Sequence, residues 1–595
     1  MTARYVVGID LGTTNSVVAY APLDSDQLNV SLLEIPQLVA AGTWESRSSL
    51  PSFLYLASPS EVAGGACRTP WDTDLTYAVG QFAQRQSAEV PQRTVAGAKS
   101  WLCHNRVDRH QPILPWGAPD DVPRVSPVTA ARRYLEHLVQ AWNARFPESP
   151  LHQQQVVLTV PASFDAAARE LTREAAAAAG LPESLVLLEE PQAAVYAWLA
   201  VMGDRWRRIV KVDETLLVCD IGGGTTDLTL VRATEDQGQL SLQRVAVGNH
   251  LLVGGDNMDL ALAHLVASQL ATQGTQLDPW QSVGLWHSCR AAKETLLGQD
   301  GPDSYPVAVL GRGSRLIGGT IKTELQRQQV FDLLRDGFFP VCEPQAMPAR
   351  QRASGFRELG LPFEADTAIT RHLAAFLKAH GSDGQPVRPT HVLFNGGVFK
   401  SVPLQERILE VLTAWAPQSP PPQRLEGDHD LDHAVARGAA AYGWSKQRGG
   451  VRIRGGTARS YYVGIESAGL AIPGAPRPLR ALCAVPFGME EGTDLDVPSD
   501  EIGLIVGEPA QFRFFSSSVR KHDRPGDLLP VISADELEET APLETTLPAD
   551  ESLEDPYVPV RFHARITELG VFELWCVSTV GDQRWKLEFS VREEN

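Results

Sequence analysis

At 595 residues the chain is too long for one hydrophobic core, because cores stop growing at about 250 to 300 residues, so two or three domains are expected. The composition, 43% apolar and 21% charged, excludes a disordered or fibrous protein, and the formal net charge of −19 disfavours general attraction to nucleic acid or anionic lipid. Seven scattered cysteines without a CxxC pair, and no run of 18 apolar residues, predict a protein of the reducing cytoplasm without a membrane span.

The N-terminal segment predicts a β-hairpin around a polar turn. Apolar, β-rich runs at 5–9 and 16–21 flank the turn Asp10-Leu11-Gly12-Thr13-Thr14-Asn15. A tight turn containing glycine lets backbone N–H groups point into one concavity, and such a nest binds phosphate without a lysine. The threonines add hydroxyl donors, and Asp10 can hold Mg²⁺ directly or through its waters.

The middle of the chain alternates predicted helices with predicted strands. Apolar periodicity predicts helices over 128–146, 165–179 and 256–269, and strands over 155–160 and 391–394. The helix from Asp165 has an N-cap aspartate, a run of alanines and Gly180 as its C-terminal stop. This alternation indicates the α/β class.

A second hairpin of the same pattern follows the first at long spacing. The run 216–219 leads into Asp220-Ile221-Gly222-Gly223-Gly224-Thr225-Thr226-Asp227 and then 228–231. One copy in each half favours two similar α/β lobes that face one another across a cleft. The sequence contains no GxxxxGK[ST] run, and no GxGxxG opens a βαβ unit. We therefore predict that the two hairpins together grip the phosphates of ATP, with Asp10 and Asp220 at the metal.

The pattern changes beyond residue 445. Two glycine pairs bracket a basic stretch at 446–456, which predicts a linker. Short β-like runs at 461–465, 511–515, 558–566, 570–577 and 584–591 predict a separate β-rich domain over 457–595. Nine acidic residues between 535 and 555, without a lysine or arginine, predict a solvated loop, with a partner-binding acidic loop as the alternative.

Taken in order, these motifs resemble the seventy-kilodalton heat-shock chaperones, the DnaK-like Hsp70 family. The resemblance covers about residues 5 to 445, in an ordered set of six segments: Val7 to Ser16, 159–164 with Arg169, 189–194, Asp220 to Asp227, 254–259, and Asn395-Gly396-Gly397. It implies a two-lobed, actin-like ATPase domain of duplicated ribonuclease H-like lobes over 1–445. Residues 457–595 resemble the family's β-sandwich substrate-binding domain loosely, and the chain stops at Asn595, so a divergent member without a helical lid is expected.

The resemblance also implies roles for individual residues. Glu190, Asp220, Asp227 and Thr225 would act in catalysis, ordering the water shell of the metal and the attacking water. ATP or ADP with Mg²⁺ would be the cofactor, and the nucleotide would be contacted by Asp10, Gly12, Thr13, Thr14, Asn15, Gly222, Gly223, Gly224, Thr225, Thr226, Gly254, Gly255, Lys293, Gly396, Gly397 and Lys400.

Several positions depart from the family pattern. Gln84 stands where the family carries a lysine that approaches the γ-phosphate, and a neutral amide does not offset charge on a transferred phosphoryl group. Hydrolysis is therefore expected to be slow. Arg85 and Lys99 are candidates to supply the missing positive charge. Arg85, however, is expected on the opposite face of a strand, and no geometry read from the sequence places Lys99 at the site. Arg290 replaces an acid, Lys400 an adenine-stacking arginine and Ser163 a tyrosine, so nucleotide affinity and domain coupling are expected to differ.

Three functions compete. The leading hypothesis is a cytoplasmic chaperone in protein folding and stress response, whose nucleotide state controls binding of unfolded or extended polypeptide. Its implied partners are a J-type cochaperone and a nucleotide exchange factor, without nucleic acid or membrane. The second is a pseudo-ATPase scaffold that binds one dedicated protein partner in an ATP-dependent way. The third, a small-molecule kinase of the same superfamily, is weakest because of the β-rich domain.

Overall fold

The computed structural model of the chain describes residues 3–104, 107–236, 239–248, 251–298, 300–309, 321–349, 364–381, 385–427, 430–449, 451, 453–454, 457, 459–466, 479–507, 509–517, 520, 522–532, 536–539, 543–546, 557–567 and 571–590. Two units are formed, Met1–Arg452 and Ile453–Asn595. The division falls inside the stretch 446–456 that the sequence predicts to be a linker.

In the first lobe of the first unit, the described residues form eleven strands and seven α-helices. The strands are β1 Tyr5–Leu11, β2 Asn15–Pro22, β3 Ser31–Leu32, β4 Ile35–Ala40, β5 Thr43–Arg47, β6 Leu50–Pro51, β7 Phe53–Leu56, β8 Tyr77–Val79, β9 Thr94–Ala96, β10 Gln155–Val160 and β11 Val186–Glu189. The helices are α1 Pro59–Ala63, α2 Gln81–Glu89, α3 Ala98–Leu102, α4 Pro127–Arg145, α5 Ala166–Ala178, α6 Glu190–Met202 and α7 Trp206–Ile209.

The second lobe and the helix that follows it complete this unit. The strands are β12 Thr215–Ile221, β13 Thr226–Asp236, β14 Gln239–Val247, β15 Ser304–Val309, β16 Ile321–Gln326, β17 His391–Asn395 and β18 Gln423–Arg424. The helices are α8 Gly255–Thr272, α9 Pro279–Leu296, α10 Arg327–Phe338, α11 Ile369–Ala379, α12 Val402–Trp415 and α13 Ala434–Arg448.

The main sheet of the first lobe is built around the N-terminal hairpin, in the order β11-β10-β1-β2-β3, and β6 also pairs with β2. β1 and β2 are antiparallel, while β10 runs parallel to β1 and places Thr159 opposite Asp10. β1 is apolar almost throughout because elements cover both of its faces, which is the pattern of a central strand.

The main sheet of the second lobe repeats this arrangement, in the order β18-β17-β12-β13-β14. β12 and β13 form the antiparallel hairpin, with Asp220 opposite Asp227, and β17 runs parallel to β12 with Asn395 opposite Asp220. The strand order and directions match those of the first sheet, as two similar lobes require. The first unit therefore has a duplicated α/β architecture.

Helix α13 packs on the sheet of the first lobe and on α6 through small residues. A methyl group added to Gly8 of β1 would lie 2.4 Å from the carbonyl oxygen of Ala436. A methyl group added to Gly438 would lie 1.7 Å from the carbonyl oxygen of Ala193. Because these neighbours are backbone atoms, they yield only if the helix itself moves.

We expect Gly438→Ala to lower the free energy of unfolding by about 3 kcal/mol, because the added methyl overpacks the contact between α13 and α6. The matched control is Gly337→Ala in α10, where an added methyl meets no atom within 4 Å. This exposed change should stabilise the protein by about 0.5 kcal/mol through helix propensity. Denaturant midpoints followed by circular dichroism compare the two; equal midpoints would contradict the close packing of α13.

The second unit consists of strands in its described residues, with no helix among them. The strands are β19 Ile453–Arg454, β20 Ser460–Glu466, β21 Leu479–Val485, β22 Thr493–Asp496, β23 Ile502–Ile505, β24 Pro509–Phe512, β25 Phe514–Ser517, β26 Leu528–Leu529, β27 Glu538–Glu539, β28 Leu543–Thr546, β29 Tyr557–Ile566, β30 Val571–Ser578 and β31 Arg584–Ser590.

Two sheets of the second unit share one apolar core. One has the order β26-β21-β20-β25-β27; the other has the order β22-β29-β30-β31, with β23 also on β29. Tyr461 and Val463 of β20 belong to the same buried cluster as Phe562 of β29 and Phe572 of β30. Face-to-face burial of this kind is the packing of a sandwich.

Some predicted segments lie partly outside the described residues. These include 450, 452, 455 and 456 of the linker, much of the acidic segment 535–555, and residues 569, 570 and 591 at the ends of predicted strands. Among the described helices, none combines the length and apolarity that a membrane crossing needs. The seven cysteines form no disulfide.

Candidate functional site

The two hairpin turns face each other across a cavity of about 410 Å³. A methyl group added to Gly223 would lie 2.3 Å from Thr14 Oγ1, and one added to Gly224 would lie 3.1 Å from Thr13 Cγ2. The turns thus approach each other so closely that glycine is the residue that fits. This brings the two predicted phosphate-binding turns to one place.

Each turn is fixed by hydrogen bonds to a neighbouring element. Ser52 holds the first turn: its hydroxyl donates to the Gly12 carbonyl at 2.7 Å and its N–H donates to the Thr14 carbonyl at 2.8 Å. The start of α8 holds the second, with the N–H of Asp256 donating to the Gly223 carbonyl at 2.7 Å. The site is therefore preorganised.

Four carboxyl groups meet at the cavity. Asp10, Asp220 and Glu190 line it from the ends of β1 and β12 and the start of α6, while Asp227 of β13 is buried and accepts a hydrogen bond from the Ser163 N–H at 3.2 Å. Burial raises the pKa of Asp10 to about 7, and the charge of Glu190 adds to the shift. Burial likewise raises the pKa values of Glu190, Asp220 and Asp227.

A single lysine, Lys99 of α3, lies among these carboxyl groups. Its ammonium group forms an ion pair with Glu190, and its side chain is 8% exposed. Burial alone would lower the pKa of Lys99, but the charges of Glu190 and Asp10 more than offset burial and raise it. The lysine is therefore charged and lines the cavity.

Lys99 bears on the expectation that hydrolysis is slow because the neutral Gln84 stands where the family carries a lysine. Gln84 lies on helix α2 rather than on a strand, at the cavity rim, where its side-chain oxygen accepts a hydrogen bond from Gln81 at 3.0 Å. Arg85 donates to the Val39 carbonyl at 2.6 Å and is not among the cavity-lining residues. The positive charge at this site comes from a different element.

The acidic centre fits a divalent cation held together with phosphate. Among the described residues, no group of three or more His, Cys, Asp or Glu side chains is placed to hold a metal ion. Mg²⁺ does not need such a group, because it binds through one or two carboxylates, phosphate oxygens and water. Asn395 Oδ1, beside Asp220, is buried without a hydrogen-bond partner. Together with Asp10 it offers oxygen ligands of the kind Mg²⁺ prefers.

Charged residues of α8 and α9 form a network at the other side of the cavity. Arg290 Nε donates to Asp259 at 2.8 Å, and its Nη2 pairs with Asp256. Lys293 pairs with Asp259 at 2.7 Å and donates to the Gly255 carbonyl at 2.8 Å. Burial would lower the pKa of Arg290, but the two aspartates raise it. Arg290 is thus saturated by protein carboxylates.

Lys400 lies at the mouth of the cavity, half-exposed, and forms an ion pair with Asp432 at 2.6 Å. The two residues come from opposite sides of the cleft, since Lys400 follows β17 of the second lobe and Asp432 precedes α13. Leu297, Val398 and Leu404 add apolar surface nearby. This end of the cavity can hold a flat, partly apolar group.

Most predicted site residues line the cavity: Asp10, Gly12, Thr13, Thr14, Asn15, Glu190, Asp220, Gly222, Gly223, Thr225, Gly255, Lys293, Gly396, Gly397 and Lys400. Gly224, Thr226, Asp227 and Gly254 are not among the lining residues. The Thr226 hydroxyl donates to the Val253 carbonyl at 2.7 Å, so it is not placed for the expected phosphate contact. The Gly254 N–H is bonded to Asn257 Oδ1 at 2.8 Å, behind the second turn.

Lys99 was considered only as a candidate without geometric support and was not among the predicted site residues, although the sequence contains a signal for it. Lys99 is the only lysine among the first 210 residues, where all other strongly basic side chains are arginines. Asp256 and Asp259, which hold Arg290, were also missed as cavity-lining residues. Their spacing of three on one helix is the signal that would have placed both on one face.

The chain is similar in sequence to a family profile and to bacterial chaperone proteins. The family profile described as Hsp70 protein matches residues 71–345. A protein named chaperone protein HscA homolog, from Actinobacillus pleuropneumoniae serotype 5b, is 31% identical over 280 residues, which cover 45% of this chain and 38% of that protein. The homolog from Pseudomonas aeruginosa is 32% identical over 307 residues, covering 49% of this chain and 42% of that protein.

The chaperone protein HscA of an Enterobacter species is 30% identical over 278 residues, covering 45% of this chain and 38% of that protein. In these alignments the chain spans about two fifths of the length of its curated relatives. The likeness thus concerns part of the first unit and part of each relative.

Proposed function

From the match of residues 71–345 to the Hsp70 family profile, we propose that the chain is an ATP-dependent molecular chaperone of that family, in which nucleotide at the hairpin cavity controls binding of extended polypeptide by residues 457–595. The observation that carries the proposal is the approach of the two turns, with Gly223 against Thr14 and Gly224 against Thr13. A cavity closed by two backbone nests fits a chain of phosphates.

Different residues of the hairpin cavity would serve nucleotide binding and nucleotide hydrolysis. Asp10 and Asp220 would hold Mg²⁺, which when bound would neutralise phosphate charge and orient the terminal phosphate. Lys99 supplies a fixed positive charge, and electrostatic preorganisation of this kind is a large part of phosphoryl-transfer catalysis. Glu190, which lines the cavity, would orient an attacking water, and Asp227, which is not among the lining residues, would assist it. The apolar end of the cavity would take the base.

The proposal favours a working ATPase over a pseudo-ATPase scaffold. The scaffold hypothesis was based on the neutral Gln84 in the place of a lysine. Because Lys99 lines the cavity and supplies a positive charge there, Gln84 no longer argues for the scaffold. A small-molecule kinase is not supported by any described feature of the second unit. The client, a J-type cochaperone and a nucleotide exchange factor are proposed partners. We also propose a cytoplasmic location, which the seven unpaired cysteines support.

Binding of MgATP should weaken as the pH falls from 8 to 6. Because burial raises the pKa of Asp10 to about 7, this carboxyl group is largely protonated below pH 7 and must lose its proton to hold Mg²⁺. We expect about a tenfold loss of affinity for each pH unit below 7. Calorimetry in buffers of different ionisation enthalpy should detect more proton release at pH 6 than at pH 8.

The matched control for this titration is ATP in the presence of a chelator of divalent cations. Without the metal, Asp10 has no reason to ionise on binding, so the pH dependence should largely disappear. Equal MgATP affinity at pH 6 and pH 8 would contradict a metal-holding role for Asp10.

The proposed chaperone cycle is tested by calorimetry with MgATP and by release of a labelled, extended apolar peptide from the full chain. We expect MgATP to bind and to speed peptide release by about tenfold or more, as coupling energies of 1–3 kcal/mol allow. Asp10→Asn should remove the effect of ATP but retain peptide binding. No MgATP binding would refute the nucleotide site, and binding with unchanged release would refute the coupling.

A further inference from the structure

A second cavity, of about 420 Å³, lies within the first lobe and shares no lining residue with the hairpin cavity. Helix α4 forms one wall, and strands β4, β5 and β8 with the segment 67–75 form the others. We refer to it as the aromatic cavity, because Trp44, Trp71 and Tyr77 line it. Its volume is that of sites for small organic ligands.

The aromatic rings of this cavity are arranged around open space. The centroids of Trp44 and Trp71 are 6.1 Å apart with the planes at 65°, and Trp71 meets His137 edge-on at 5.2 Å. Leu38 and Leu75 add apolar surface. Walls of this kind favour a flat aromatic group, which can stack on one ring and meet the edge of another.

One cation of the aromatic cavity is incompletely paired. The guanidinium of Arg133 lies 4.0 Å from the centroid of Tyr77, and its Nε and Nη1 atoms are buried without a hydrogen-bond partner. Within the described residues no carboxylate forms an ion pair with Arg133. Arg133 lines the cavity, so an anion that entered would meet a guanidinium whose charge no such ion pair offsets.

The neighbouring polar groups of α4 are already engaged. Glu136 contacts Arg132 at 3.3 Å and accepts a hydrogen bond from the Tyr77 hydroxyl at 3.3 Å. His137 Nε2 lies 2.8 Å from the Pro36 carbonyl, and burial lowers the pKa of His137 to about 4, so the ring is neutral. The cavity therefore offers one unpaired cation, on the helix face that also carries Glu136 and His137.

We propose that the aromatic cavity binds a small aromatic carboxylate, with its ring among Trp44, Trp71 and Tyr77 and its carboxylate on Arg133. The single unpaired cation matches a monoanion, whereas the carboxylates of Asp72 and Glu136 on the same walls would repel a dianionic phosphate. An organic cation is disfavoured because Arg133 already occupies the face of Tyr77. The same chemistry is presented by a free metabolite and by a peptide ending in an aromatic residue.

Calorimetry and ligand-observed NMR with indole-3-acetate test the proposal on the full chain. We expect one molecule to bind per chain, in the presence of saturating MgATP as in its absence, and indole-3-acetamide to bind at least about tenfold more weakly because it lacks the charge. A short peptide with a C-terminal tryptophan, as free acid and as amide, distinguishes the two sources. Binding of the free-acid peptide more tightly than indole-3-acetate would identify a polypeptide terminus as the ligand.

Arg133→Gln should weaken indole-3-acetate binding at least about tenfold, and Arg145→Gln, at the C-terminal end of the same helix and not among the cavity-lining residues, should leave it unchanged. Retained MgATP binding at the hairpin cavity would show that each variant is folded. The proposal is overturned if the acid and the amide bind the natural chain equally, if neither binds, or if MgATP displaces the acid. The comparison of indole-3-acetate with indole-3-acetamide on the natural chain tests the proposal even if Arg133→Gln fails to fold.

Discussion

Lys99→Met is expected to slow single-turnover hydrolysis of ATP by about 10²- to 10³-fold, the scale on which removal of one preorganised electrostatic contact acts. Lys99 is the cation that pairs with Glu190 and faces Asp10 across the cavity. Without it, the group of carboxyl side chains Asp10, Glu190 and Asp220 has no lysine among it to offset the charge that develops on the transferred phosphoryl group. The pKa of Glu190, which burial already raises, would rise further, because the charge of Lys99 would no longer lower it.

MgATP affinity should change less than turnover in Lys99→Met, because the two turns and the metal-holding carboxylates remain. Single-turnover hydrolysis and calorimetry at saturating Mg²⁺ separate the two quantities. The matched control is Gln84→Ala, which removes a neutral side chain from the rim of the same cavity and should alter turnover by less than about threefold. If Gln84→Ala were the slower enzyme, turnover would depend on Gln84 rather than on the charge of Lys99.

Gly12→Ala should weaken MgATP binding by at least about 100-fold, which is about 2.7 kcal/mol. A methyl group at Gly12 would lie 2.1 Å from the carbonyl oxygen of Asn15 in the same turn. Because this neighbour is backbone, the first turn must open to accept the methyl, and the concavity that its N–H groups form is then lost.

The second turn supplies the control for this change. Gly222 occupies the position equivalent to Gly12, yet a methyl group there would meet nothing closer than the Thr225 carbonyl oxygen at 3.8 Å, an ordinary contact. Gly222→Ala should therefore lower affinity by about threefold or less. Calorimetry of Gly12→Ala and Gly222→Ala with MgATP separates the effect of the steric clash in the first turn from the effect of replacing a glycine. Equal losses of MgATP affinity in the two variants would show that the clash at Gly12 is not the cause.

Elements with strong local signals could be predicted from the sequence. Asp165 is the N-cap of α5, its side chain accepting from the Ala168 N–H at 2.7 Å, and Gly180 has a φ of 86° just beyond the helix end. The apolar runs on both sides of Asp10 and Asp220 became β1, β2, β12 and β13. Capping, glycine conformation and period-two burial act within a few residues, so the sequence carries them directly.

The features that escaped prediction depend on contacts between distant residues. Lys99 and Glu190 are 91 positions apart in the sequence, and no local sequence pattern predicts their ion pair. Gln84 and Arg85 were expected on a strand, but β8 ends at Val79 and α2 begins at Gln81. Thr226 was expected to contact the nucleotide, yet its hydroxyl donates to the carbonyl of Val253, 27 residues away. The positions of such side chains depend on contacts between residues that are distant in the sequence.

The packing of α13 has a consequence for synthesis on the ribosome. Arg437 donates a hydrogen bond to the Val30 carbonyl, 407 positions earlier in the chain, and Gly8 of β1 lies against Ala436. At about 5 to 20 residues per second, some 20 to 80 seconds separate the emergence of β1 from that of α13. During this interval one apolar face of the nascent first sheet is bare. We therefore expect the translating chain to be itself a substrate for other chaperones.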